Sequence, residues 1–208
     1  MIALDHLVLC ARTLDDGARW VRERVGVAVD AGGRHEGFGT HNALLRLGDD
    51  VYLEVLAPDP AQPEVPRGRL FGLAEQATAA LLAGGPALLH WVLRSNDLPA
   101  DLARLASRAG RSSDEIGAPI AMRRGDLAWT LTVRDDRARP PAGLPSIIDW
   151  GAAPHPCSRL PDRGVRLAGL VVTAPAATVA ALAPLASEAR LSFTVGDVSR
   201  LAADLRAR

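Results

Sequence analysis

Four side chains in this chain combine the right chemistry with a matched spacing. His6 stands inside the apolar run "ALDHLVL" and His90 inside "ALLHWVL". Glu54 interrupts "VYLEVLAP" and Asp149 interrupts "SIIDWG". A carboxylate in such a run costs several kcal/mol if it is buried without a partner, so each placement needs a reason. Two neutral imidazoles and two carboxylates suit Zn, Fe(II), Mn, Ni or Co, and the two negative charges cancel a divalent cation. A buried pair of His–carboxylate hydrogen bonds is the alternative use of the same residues.

The two histidines mark a repeat. "ALDHLVLCARTLDDGARWVRERVGV" from Ala3 and "ALLHWVLRSNDLPADLARLASRAGR" from Ala87 align without a gap, bringing Leu14 over Leu98. Each copy reads as a strand followed by a helix. Thr13 caps the first helix, Leu14, Ala18, Val21 and Val25 form its stripe, and Gly26 stops it. Asn96 or Asp97 caps the second, which Gly110 ends. Three strand-like runs follow each helix: Val27–Ala31, Thr40–Leu47 and Val51–Ala57, then Gly117–Arg123, Ala128–Arg134 and Ser146–Trp150. The expected fold class is therefore α+β, with paired βαβββ modules at 1–57 and 87–155. A Pro-rich linker with a short helix, Leu73–Ala83, occupies 58–86. Residues 156–208 read as a βαβα extension: a partial third copy with Gly169 at the histidine position, a helix over Ala176–Ala189 and a closing helix in "VSRLAADLRAR". From about Val165 onward this segment is expected to support the fold without supplying ligands.

Alternation along a strand sets which residues share a face. Leu4, His6 and Val8 are expected on one face and Leu88, His90 and Val92 on the matching one. Glu54 and Asp149 are placed on the histidine side, so that Val51, Leu53 and Val55 cover the helix. Tyr52 shares the face of Glu54. Trp91, Trp129 and Trp150 read as core, and Cys10 as a small buried residue on the ligand face. "GGRHEGFGTHN" gathers Arg34, His35, Thr40, His41 and Asn42 into a polar cluster, which also reads as a solvated turn.

Bulk properties narrow the partners. The chain has 208 residues, is 48% hydrophobic and has zero formal net charge. It contains no lysine, and its arginines are dispersed, which argues against nucleic acid. No apolar run approaches the ~20 residues of a membrane span. The start of the chain reads as a strand rather than a signal peptide, and two cysteines without metal or redox spacing fit a reducing cytoplasm.

The segments "LDHLVLCARTLDDGARWV", "GGRHEGFGTHNALLRLGDDVYLEVLAPDP", "LLHWVLRSNDL" and "IIDWG" together resemble the glyoxalase-like proteins of the vicinal oxygen chelate superfamily, over about residues 1–155. The resemblance implies an incomplete barrel around a divalent metal, with one ligand on the first and one on the last strand of each module: His6, Glu54, His90 and Asp149. The departure is Asp149, where glutamate is usual. The resemblance also implies a metal acting as Lewis acid in isomerase, lyase or dioxygenase chemistry, with Glu54 doubling as general base. Arg34, His41, Asn42 and Tyr52 would then meet a small, anionic substrate at the open side of the barrel. Two other classes stay open: a metal-free protein that sequesters a small molecule, similar to the bleomycin-resistance group, and a scaffold. A homodimer is compatible with all three.

Overall fold

The computed structural model describes residues 2–207. The first module comprises β1 (Ala3–Cys10), α1 (Leu14–Val25), β2 (Asp30–His35), β3 (Thr40–Arg46) and β4 (Tyr52–Pro58). A short helix α2 (Gln76–Leu81) lies in the linker. The second module comprises β5 (Ala87–Arg94), α3 (Leu98–Ala109), a one-turn α4 (Ser113–Ile116), β6 (Ala118–Arg124), β7 (Leu127–Val133) and β8 (Ser146–Asp149). The eight strands form one sheet in the order β2-β3-β4-β1-β5-β8-β7-β6. That order is palindromic about the β1–β5 contact. β1 and β5 run antiparallel, and each pairs in parallel with the last strand of its own module. The paired βαβββ architecture is thus the one the repeat implied, and the outer strands β2 and β6 approach each other as the sheet curls.

Caps and stripes account for the helices. The Thr13 hydroxyl accepts from the Asp16 amide, and Gly26 closes α1 at φ 81°. Asp97 caps α3, with Pro99 in its first turn. The apolar faces of α1 and α3 cover one side of the sheet, where Leu7, Leu9, Leu53, Val55, Trp91 and Leu93 are buried. The opposite, concave side collects Val8, Leu56, Val92, Trp129, Leu131 and Ile148. Glycine at position 17 lets α1 lie directly on β4, since a Cβ there would come within 2.3 Å of the Val55 Cγ1.

The C-terminal segment forms β9 (Val165–Ala174), α5 (Ala176–Leu182), β10 (Leu191–Val195) and β11 (Arg200–Ala207), a second sheet in the order β10-β9-β11 packed on the helix side. Three expectations are corrected here. The helix from Ala176 passes into a 3-10 turn at Ala183, where Pro184 removes an amide donor. The last segment is a strand, not a helix. Leu201 and Leu205 sit four apart, a spacing that helix and strand share, and pairing along β9 decides between them. β2 also begins later than expected, because "GGRH" is ladder rather than turn. Among the described residues no helix is long and apolar enough to cross a membrane.

Gly17→Ala should destabilise the protein by about 1–3 kcal/mol through overpacking against Val55, although the same change in an exposed helix would gain about 1 kcal/mol. Chemical denaturation gives the sign directly. An unchanged or raised midpoint would mean that α1 does not bear on β4 this closely.

Candidate active site

The site is built around an irregularity in β1. Its register with β5 shifts between Leu4 and His6, leaving Asp5 as the extra residue of a β-bulge. Leu4 therefore joins Leu7 and Leu9 on the helix side, rather than His6 as alternation predicted. The Asp5 carboxylate is fully buried and accepts from the His6 Nδ1 at 2.6 Å, the Trp150 Nε1 at 3.0 Å and the His155 Nε2 at 3.1 Å. The Arg94 guanidinium stands 3.7 Å away. Burial alone would raise the carboxyl's pKa, but the hydrogen bonds from His155 and His6 outweigh it and hold the group well below the usual carboxylate range. Its stabilising contribution is therefore present at neutral pH and is lost only as pH falls through that lowered value. Because a carboxylate only accepts, the His6 Nδ1 must carry the proton, which leaves Nε2 facing the concave side.

There the His6 Nε2 lies 3.7 Å from the Glu54 Oε2. The other oxygen, Oε1, accepts from the Asn42 Nδ2 at 2.6 Å and is 3.8 Å from the His35 Nε2. Asn42 is itself clamped. Its Oδ1 accepts from the Gly33 amide at 2.8 Å and from Arg124 at 3.1 Å. Glycine is needed at 32 and 33, because a Cβ would strike the Asn42 carboxamide in one case and the Arg124 side chain in the other. Arg124 comes from β6, at the far edge of the sheet, and bridges the gap between the two modules. Tyr52 stacks on His6 at 4.6 Å between ring centroids. Phe71, Trp129 and Trp150 line the rest of a tight cleft of about 30 Å³. Trp129 and Trp150 thus form cleft wall rather than plain core, whereas Trp91 is core. Burial pushes the Cys10 thiol up to about 12, which suits an inert core residue.

The other expected site residues lie elsewhere. His90 is on the concave face, but its Nε2 is 3.0 Å from the Ser146 Oγ, and the Phe71 ring lies over it at 4.4 Å. Ser146 faces Val92 in the ladder as Glu54 faces Val8. Ser146, not Asp149, is therefore the second module's equivalent of Glu54. Ile148 lines the cleft, so Asp149 falls on the opposite face, where it accepts from the Gly151 amide at 2.7 Å. Arg34 and His41 pair across β2 and β3 on the outer face. Arg34 is 58% exposed and lies 3.4 Å from Asp59, while His41 lines a surface groove. Asn42 and Tyr52 do line the cleft. The residues that sequence reasoning passed over are Asp5, His155 and Arg124; His35 was noted only as part of a polar cluster.

A divalent metal, which the fold family implies, can be tested against this donor set. His6 and Glu54 face one point, but His90 is turned to Ser146 behind Phe71, and Asp149 is on the other face. Among the described residues no group of three or more His, Cys, Asp and Glu side chains is arranged to hold a metal ion. The side chains present do not fit the four-ligand centre.

Two buried imidazoles make the protein acid-sensitive. Burial lowers the pKa of His35, opposed by Glu54 and reinforced by Arg124. Burial lowers that of His90 further, and Arg139 adds to the effect. Both stay neutral in the folded protein while the unfolded chain takes up protons below about 6.5. Stability should therefore fall as pH drops from 7 to 5, by up to about 1.4 kcal/mol per pH unit for each ring. His90→Gln should remove one ring's share of that slope, measured by denaturant unfolding at several pH values. An unchanged slope would mean that His90 is protonated in the native state.

Comparison with known proteins agrees with this architecture. The glyoxalase-like domain family matches residues 4–186. No functionally curated protein matches the chain in sequence. A triple mutant of 4-hydroxymandelate synthase from Streptomyces coelicolor is 13% identical, with a TM-score of 0.52 over 97% of this chain and 63% of that chain. A variant of methylmalonyl-CoA epimerase from the same organism, in complex with 2-nitronate-propionyl-CoA, is 19% identical, with a TM-score of 0.46 over 75% of this chain and 100% of that chain. The epimerase from Mycobacterium tuberculosis is 21% identical, with a TM-score of 0.42 over 73% and 89%. With its family match spanning most of the sequence and its paired βαβββ modules, this chain belongs to the glyoxalase-like domain family of the vicinal oxygen chelate superfamily.

Proposed function

We propose that the protein is a small-molecule enzyme that moves a proton at a carbon beside a carbonyl, in an isomerase or lyase reaction. The observation that carries this reading is the array Asp5–His6–Glu54, whose free nitrogen and free oxygen face each other at 3.7 Å. That distance is too long for a direct hydrogen bond, so the nitrogen and the oxygen are both free to turn to one substrate atom beside them. Asn42 occupies the Glu54 Oε1, which leaves Oε2 to take the proton from carbon. His6, once its Nε2 has taken a proton and with the Asp5 carboxylate offsetting the ring's charge, delivers that proton to the carbon while Glu54 keeps the first, and exchange with solvent resets both groups. Arg124 supplies a fixed positive charge for the oxyanion and for an anionic substrate, the part that sequence reasoning assigned to Arg34.

Metal-assisted chemistry with Zn, Fe(II), Mn, Ni or Co is the competing reading. One observation favours it: a carboxylate on the far nitrogen of His6 is the arrangement that orients metal-binding histidines. Against it stand His90 on Ser146 and Asp149 on the opposite face. A dioxygenase needs three protein ligands on iron, so the isomerase or lyase reading is preferred. Sequestration of a ligand without turnover uses the same cleft but gives no role to a paired base and acid.

Two measurements test the proposal. The first is solvent deuterium exchange, followed by NMR, into the α-position of a panel of 2-oxo acids, hydroxyketones and acyl thioesters. Exchange should appear with at least one class and fall by roughly 10²–10⁴-fold in Glu54→Gln. Asp5→Asn should lower it and also shift its pH profile, because Asp5 positions His6 rather than touching substrate. No exchange across the panel would return the protein to the binding class. The second is elemental analysis of protein purified without a metal-affinity step and then incubated with each ion. Stoichiometric metal that is lost in Glu54→Gln would overturn the metal-free mechanism.

A further inference from the structure

A second cavity opens where the ladder between β5 and β8 is incomplete. In the first module β4 pairs with β1 from His6 onward. In the second, β8 meets β5 only from Val92, so the half of β5 that carries His90 has no strand on that side. The connection explains the breach. Pro140, Pro141 and Pro145 have no amide proton, and Ala142 and Gly143 turn through positive φ of 56° and 77°. Residues 140–145 therefore cannot extend the ladder. The breach holds about 280 Å³, against about 30 Å³ in the cleft. His90 lies at its floor, and Leu88, Leu89 and Leu144 supply apolar wall. Arg139, Arg200, Thr173 and Ser199 give it a polar side, with Glu75 also present.

We infer that this cavity binds a short-chain monocarboxylate, with the carboxylate between Arg139 and Arg200 and the alkyl part on the leucines. Two guanidinium groups and one carboxylate leave the lining with an excess positive charge, which selects an anion. Glu75 repels a second carboxylate, which selects a monoanion. The volume is below that of a drug-sized pocket, which selects a small molecule. One Arg139 nitrogen donates to the Phe71 carbonyl at 2.8 Å and the Thr78 hydroxyl at 3.1 Å, and the remaining guanidinium donors are left for a ligand. Arg200 is exposed, takes part in no ion pair among the described residues, and sits opposite Thr173 in the ladder. A guanidinium matches a carboxylate in bidentate geometry, and the hydroxyls of Thr173 and Ser199 add donors.

The inference is independent of the proton-transfer reading, and the test separates them. Sodium butyrate is titrated by NMR, with n-butanol and butylamine as controls at matched ionic strength. Saturable binding of butyrate alone is expected, with a shift of the His90 ring signals. Arg200→Gln, a change at an exposed rim position, should weaken it roughly tenfold, the loss of one charge-assisted hydrogen bond. Glu54→Gln should bind butyrate as the wild type does. The inference fails if butanol binds as well as butyrate, if Arg200→Gln binds like the wild type, if butyrate does not bind, or if binding disappears in Glu54→Gln and so belongs to the cleft.

Discussion

The buried carboxylate of Asp5 is the constraint on which the site depends. An unpaired charge at this depth would be expensive, so the surrounding donors are not optional. One is the adjacent His6, and the others come from distant parts of the chain: Arg94 at the end of β5, Trp150 just after β8 and His155 in the following turn. Satisfying one acidic group thus ties the first strand of one module to the last strand of the other. It also fixes the His6 tautomer and aims the ring's free nitrogen at Glu54. Removing the carboxylate would strand two histidines and an indole at once, so it has structural and chemical consequences together.

The duplicated scaffold has diverged in its chemistry. Val8 and Val92 occupy the same place in the two modules, yet one faces Glu54 and the other Ser146. A hydroxyl satisfies the His90 nitrogen but brings no negative charge, so the second module lacks the group that would help to neutralise a cation. In the first module the corresponding histidine and carboxylate stay apart and open to the cleft. The same topology therefore yields one half with a histidine and a carboxylate facing the cleft and one half closed by a phenylalanine.

What could be read from the sequence follows the range of the interactions. The gapless repeat from Ala3 and Ala87 was enough to place β1 beside β5 with both histidines concave, since duplicated βαβββ units close most simply about their first strands. Glu54 was read correctly onto the concave face because β4 is regular. Asp149 was not, because the carboxylate on the last strand was matched by type rather than by register, and a one-residue slip reverses the face of a strand. Asp5 was missed because a bulge breaks the alternation on which the reading relied. Arg124 reaches the site only through closure of the sheet edges, and nothing local in "AMRRGD" marks it. The last strand was misread as a helix because "LAADLRAR" carries helical residues at a spacing that both structures share, and only β9 decides the outcome.

Phe71 stands between the two histidines with its backbone at φ 57°, a left-handed conformation that costs a non-glycine residue about 1–2 kcal/mol. Its ring is part of the cleft wall, and its carbonyl is held by Arg139 at the edge of the second cavity. One residue is thus a partition with a grip on either side. If occupants of the two chambers favour different settings of that partition, each must alter the other's affinity by the same factor, because thermodynamic linkage is reciprocal.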